Sequence, residues 1–216
     1  MNHRSKLVCL LALAVLAGAL ASWPVLAESR SLLRYAAAGS TAAAGSTELA
    51  AAEPCPTGYT WHSDSEMAFS ACYPSGWSVK RAADLGGGAW VTFSAPTEDG
   101  SSRTSLRFIS VSASPAASAQ SDEQLLSTMN RWLEEQYIRE LLTVPHLVAV
   151  GGHTAVEAGY EARAVFGREV VSVSCWVTSF VDGGQQWLVE VAGRSAFRSE
   201  LEVIRSLFLS HLRLEG

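Results

Sequence analysis

The chain has 216 residues, 48% of them hydrophobic and 17% charged, with 16 Lys and Arg against 21 Asp and Glu for a formal charge of −5. Such a length carries one domain with a sizeable core and leaves little room for a second. The acidic balance, with arginines scattered singly and no basic patch, excludes a nucleic-acid binder that works by charge.

Arg4 and Lys6 precede an uncharged apolar run from Leu7 to Ala21, and Val25-Leu26-Ala27 before Glu28 offers the short residues a signal peptidase reads. Residues 1–27 are therefore expected to be a signal peptide. Ala19-Leu20-Ala21 is a second cleavage point, and an uncleaved anchor with Trp23 at the interface and Pro24 ending the helix is the alternative. Either way the rest of the chain is expected outside the cytoplasm, secreted or associated with the cell envelope. Cleavage would remove two cations and no acid, moving the formal charge from −5 to −7. Next, Ala36-Ala37-Ala38-Gly39-Ser40-Thr41 repeats as Ala42-Ala43-Ala44-Gly45-Ser46-Thr47, too small and polar to repay the ordering entropy of a core. Residues 28–53 read as a disordered linker, and residues 54–216 as the single folded domain.

Three cysteines remain after the leader, Cys55, Cys72 and Cys175, in a compartment that permits disulfides. A Cys55–Cys72 bridge would pin the entering chain to the first strand pair. Cys175 lies in an apolar strand and reads as a buried thiol, with a Cys72–Cys175 bridge left open as the alternative.

Tyr59–Ser63 and Met67–Tyr73 read as strands joined by the polar turn Asp64-Ser65-Glu66. Phe69 and Tyr73 run into Pro74-Ser75-Gly76, and Trp77 opens a third strand through Ala82. Gly86-Gly87-Gly88 leads to a strand over Ala89–Phe93, closed by Ala95-Pro96. A polar loop with Asp99-Gly100 at its tip returns the chain along Thr104–Ala113, where Leu106 and Phe108 share one face and Ile109 and Val111 the other. Apolar residues on both faces call for cover on both sides. Ser121-Asp122-Glu123-Gln124 is a capping box for a helix that starts at about residue 122. Leu125, Met129, Trp132, Leu133, Gln136 and Leu141 follow a helical period, so this helix is expected to continue until Pro145 blocks it. Strands are then expected over Leu147–Val150, Thr154–Ala164, Glu169–Val181 and Gln185–Ala192, with tight turns at Gly151-Gly152 and Asp182-Gly183-Gly184. A last helix, capped near Ser195, would bury Phe197, Leu201, Ile204 and Phe208 or Leu207. With no alternating βαβ pattern, the class is α+β, an antiparallel sheet covered by helices.

The element order, the segment Phe69 to Tyr73-Pro74-Ser75-Gly76-Trp77, the strand end Phe93-Ser94-Ala95-Pro96 and a last helix with Phe197 and Phe208 together resemble the PsbP-like domains. The resemblance covers about residues 56–214, and its crispest motif, Tyr-Pro-x-Gly-Trp, marks a turn. It implies an α/β/α sandwich of the kind shared by photosystem extrinsic proteins and by secreted bacterial proteins and lipoproteins. It also implies an accessory, non-catalytic role and transfers no catalytic residue. A thylakoid-type targeting region is missing, which argues against a photosystem role.

No nucleophile elbow, phosphate loop, dinucleotide fingerprint or metalloprotease histidine pair occurs. The nearest approach to a site is His62-Ser63-Asp64-Ser65-Glu66, where His62, Asp64 and Glu66 could offer a nitrogen and two carboxylates to a divalent ion from one turn. The plainer reading of that stretch is an exposed polar turn. His153 could join His146 only if two strand ends meet. The expected function is an exported, non-catalytic binding or accessory module, a monomer without cofactor whose partner is an envelope protein or other envelope component. It would touch membrane only through an uncleaved first segment. The alternatives are a metal-dependent extracytoplasmic hydrolase built on His62, Asp64 and Glu66, or a carrier of a small apolar ligand between sheet and helix.

Overall fold

The structure is a computed structural model that describes residues 55–83, 88–97, 106–116, 120–136, 138–166 and 169–215. The expected signal peptide and linker, the turns at Gly86-Gly87 and Asp99-Gly100, and the start of the strand expected from Thr104 lie outside the described residues.

The first hairpin pairs β1 (Tyr59–Asp64) with β2 (Phe69–Pro74), and β10 (Arg213–Leu214) pairs the other edge of β2 to complete a three-stranded sheet. Met67 stays in the turn instead of opening β2, because Asp64 Oδ1 accepts from the backbone N–H groups of Glu66 and Met67 and curls the chain. At Pro74-Ser75-Gly76-Trp77 the Trp77 N–H donates to Pro74 O, and Gly76 takes φ +82°, the left-handed position a type II turn requires. Trp77 is thereby held in the turn, 9% exposed, and β3 begins one residue later.

The remaining strands are β3 (Ser78–Ala83), β4 (Ala89–Ser94), β5 (Arg107–Pro115), β6 (Ile138–Val150), β7 (His153–Phe166), β8 (Glu169–Asp182) and β9 (Gln185–Arg194). They form one antiparallel seven-stranded sheet in the order β3-β4-β5-β9-β8-β7-β6. Tight turns set two of these neighbours. At Gly151-Gly152 and Gly183-Gly184 both central residues have positive φ, 58° and 88° in the first and 56° and 74° in the second, matching the twist of the flanking strands. Insertion of β9 between β5 and β8 joins the two halves of the sheet, and Gly193 makes that approach feasible. A Cβ there would stand 2.6 Å from Leu106 O and 3.1 Å from Leu201 Cδ1.

Two helices follow their patterns only in part. The helix α1 (Asp122–Glu134) begins as expected, with the Ser121 hydroxyl accepting from Gln124 N–H and the Gln124 side chain accepting from Ser121 N–H. It stops at Glu134, and the expected extension to Leu141 is wrong. The segment from Ile138 is instead β6, which pairs with β7 through register shifts between Ile138 and His146. An edge strand tolerates Pro145, whose missing donor would face outward, so the proline that seemed to end a helix lies inside a strand. At the chain end a single 3₁₀ turn (Ser195–Phe197) precedes α2 (Arg198–Ser210), whose cap position is Phe197 with no side-chain cap bond. Ser195 does not cap α2; its hydroxyl accepts from Ser174 on β8.

Alternation along the strands divides the core in two. One face of the large sheet carries Val91, Phe93, Ile109, Val111, Trp187 and Phe180, and packs under α2 and the small sheet through Leu201, Ile204, Phe208 and Phe69. The opposite face carries Phe108, Tyr160, Val173 and Val177 beneath Leu125, Met129 and Leu133 of α1. The class is thus α+β and mostly antiparallel sheet, with one helix on each face. The helical cover is thinner than expected, because a three-stranded sheet shares one layer and α1 packs on β6, β7 and β8 at one end of the other.

Cys55 and Cys72 form the expected disulfide across 5.7 Å between their Cα atoms, and Cys175 is a buried thiol outside any disulfide. No helix among the described residues is long and apolar enough to cross a membrane.

Candidate functional site

The three candidate ligands of the first hairpin are brought near one another but not onto one point. Asp64, 9% exposed, spends one oxygen on the turn N–H groups and places the other 3.1 Å from Arg81 Nε. Glu66 pairs with the same guanidinium. The cation between the two carboxylates is therefore supplied by β3. His62 turns the other way, into a cage of Phe69, Tyr73 and Phe93 with ring centroids 5.8, 6.2 and 5.1 Å away. Its Nε2 is buried without a hydrogen-bond partner, and burial, opposed by the Asp64 charge, pulls the imidazole below its usual range. Among the described residues no group of three or more His, Cys, Asp or Glu is placed to hold a metal ion.

The other histidines do not meet. His153 stacks on Phe180 at 5.9 Å with Nδ1 3.5 Å from Asp182, while His146 Nε2 lies 3.9 Å from Glu157. His211 Nδ1 is 2.9 Å from Leu207 O at the end of α2.

Two buried acids on β7 escaped the sequence reading. Glu157 accepts from Arg205 Nη1 at 2.8 Å and from Thr178 Oγ1 at 3.1 Å, and Glu161 pairs with Arg198. Burial works against ionised Glu161, but hydrogen bonds from Ser195 and Arg198 and the charges of Arg198 and Arg139 outweigh it and hold the carboxyl below its usual range. Seven residues of helix advance about 10 Å and four residues of strand about 13 Å, so two arginines of α2 meet two glutamates of β7 in a ladder. Arg205 also lies over the Trp176 ring, 5.7 Å from its centroid, and Trp176 crosses Gly159 so closely that a Cβ there would meet it at 2.9 Å. The available signal was Glu157 and Glu161, four apart inside an apolar strand, matched by arginines seven apart in the last helix.

A third group of polar residues is not tied up in this way. Strand register sets Lys80, Thr92, Ser110 and Glu190 side by side on the sheet face that carries α1, in a row from the edge strand β3 to the central strand β9. The neighbouring row holds Trp90, Ser112 and Leu188. Thr92, Ser110, Ser112, Trp90 and Glu190 are half-buried, and Lys80 is exposed. Among the described residues, neither charge has an ion-pair partner, and the hydroxyls of Thr92, Ser110 and Ser112 have no hydrogen-bond partner. Lys80 is also the single lysine beyond the leader. Burial pushes the Glu190 carboxyl up to about 7. Its folded pKa is thus raised from 4.5, so the stabilisation from its bound proton is present below about 4.5 and is lost as pH rises towards 7. Glu190→Gln is expected to gain stability relative to wild type between pH 5 and 8, as read by urea unfolding. A constant difference across that interval would show that Glu190 titrates normally.

Fold and surface together define an α+β module built on a seven-stranded antiparallel sheet. No family model matches the chain, nor does any curated protein sequence. Among solved structures, it is similar to the cyanobacterial PsbP of a Synechocystis species, with 15% identity, coverage of 80% of this chain and 98% of that one, and a TM-score of 0.43. It is also similar to LpqN of Mycobacterium tuberculosis, described as involved in cell envelope biogenesis, with 9% identity, coverage of 76% and 82%, and a TM-score of 0.38. A Bacteroides thetaiotaomicron protein aligns at 14% identity over 69% of this chain and 46% of its own, with a TM-score of 0.41. These likenesses concern the fold alone.

Proposed function

We propose that the protein is an extracytoplasmic, non-catalytic binding module of the PsbP-like α/β/α type, and that its contact surface is the polar row of the large sheet around Ser110 and Glu190. The leader-like first segment and the Cys55–Cys72 bridge support the compartment. The observation that carries the binding role is the unused valence of this surface. Asp64, Glu66, Glu157 and Glu161 are each paired with an arginine, whereas Glu190 and the hydroxyls beside it are left for a ligand. A polar group half out of water without a partner is stabilised when a ligand supplies one.

A photo-crosslinking residue placed at Ser112, in the full chain exposed to envelope material of the source organism, is expected to yield a discrete adduct. The same residue at Ser127, on the outer side of α1, serves as the control. Adducts at Ser127 with none at Ser112 would move the contact surface elsewhere.

A further inference from the structure

We propose that the Lys80–Thr92–Ser110–Glu190 row is a site for a short peptide of about four residues with free termini, its ammonium on Glu190 and its carboxylate on Lys80. This rests on the reading of that polar row as the contact surface.

Charge complementarity selects the ligand. The row begins with a cation, ends with a carboxylate and has only hydroxyls between, and each neighbouring pair is fixed by backbone register. Three strand spacings of about 4.8 Å separate Lys80 from Glu190 by about 14 Å. An extended peptide covers that distance in about four residues. Its amide groups would run past Thr92 and Ser110, whose hydroxyls both donate and accept, and Trp90 in the adjoining row gives the peptide side chains an apolar wall. Charge-assisted hydrogen bonds at the two ends would fix both length and direction. A neutral oligosaccharide could use the hydroxyls but would leave both charges unanswered, and a long chain would have no terminus at one of them.

The surroundings of Glu190 allow its charge to follow the ligand. Phe108, Ser110 and Ser112 flank it from β5, and Cys175, Val177 and Ser179 from β8. Leu188 and Ala192 lie beside it on β9, and α1 turns Leu125, Met129 and Leu133 towards this face. Among the described residues Cys175, a buried thiol, is the one titratable neighbour, and no described cation competes for the carboxylate. A peptide ammonium stays protonated up to about pH 7.7. Binding should therefore strengthen from pH 5.5 to 7.5 as Glu190 ionises and weaken above pH 8.5 as the ammonium is lost.

The test is titration calorimetry of the full chain with tetra-alanine, together with amide shifts at Thr92, Ser110 and Glu190. Tetra-alanine should bind, and its N-acetyl form, its C-terminal amide, dialanine and cellotetraose should each bind at least tenfold more weakly. Lys80→Met and Glu190→Gln should each cost at least tenfold, and Glu66→Gln should cost nothing. Equal binding of blocked and free tetra-alanine, or cellotetraose binding as tightly as tetra-alanine, would overturn the assignment. Absence of tetra-alanine binding alongside an adduct at Ser112 would overturn the peptide while leaving the contact surface intact. Loss of both would overturn the two together.

Discussion

Replacing Glu157 by alanine is expected to lower the unfolding free energy by about 3–5 kcal/mol, because it strands the Arg205 guanidinium in a largely dehydrated place. The Glu157 side chain is 7% exposed and that of Arg205 23%, so water can answer little of the orphaned charge. Thr178 loses its acceptor at the same time. The size of the effect belongs to breaking the pair and not to its net worth. The double variant with Glu157→Leu and Arg205→Leu is expected to lose much less than Glu157→Ala. Arg198 has a side chain 42% exposed, and without it Glu161 keeps the Ser195 hydrogen bond and the Arg139 charge, so Arg198→Ala should cost about 1 kcal/mol. Urea unfolding of the three variants gives the comparison. If Glu157→Ala unfolds within about 0.5 kcal/mol of wild type, the ladder is not what holds α2 against β7.

The second large effect is expected from Cys55→Ser, about 3 kcal/mol. The bridge closes a loop with a sequence separation of 17, and its loss restores the conformational freedom of that loop to the unfolded chain. Cys72 is fully buried in β2, so removing Cys55 leaves a small apolar thiol in a packed place and does not open a cavity. Chemical reduction of the wild-type protein should give the same loss, since both remove one constraint. Cys175 should stay unreactive towards alkylating reagents until the domain unfolds, because it is 3% exposed. Unchanged stability on reduction, with Cys55 and Cys72 then open to alkylation, would mean that the bridge contributes nothing.

The pairing was legible because few cysteines follow the leader, and a bridge between neighbours at the domain entrance competes with one long-range alternative. Hairpins closed by Gly151-Gly152 and Gly183-Gly184 were equally legible, since positive φ is a local demand that glycine meets at no steric cost. The reading failed where local and tertiary demands diverged. Between Tyr137 and Val150, Leu141 still falls on the helical period of α1, but an edge position beside β7 repays strand pairing more. At Ser195 the hydroxyl met a strand neighbour instead of a helix end.

Sequence alone determined the α+β class and most of the antiparallel strands, and it favoured the Cys55–Cys72 bridge. Each follows from a repeat of two or 3.6 residues, from turn chemistry, or from a count. Tertiary structure decided the rest. Only the insertion of β9 between β5 and β8 aligns Lys80, Thr92, Ser110 and Glu190, residues far apart along the chain. Only the docking of α2 gives Glu157 and Glu161 their cations. A carboxylate's role depends on which neighbours desolvate or pair with it, and those neighbours are chosen by long-range packing that no local pattern encodes.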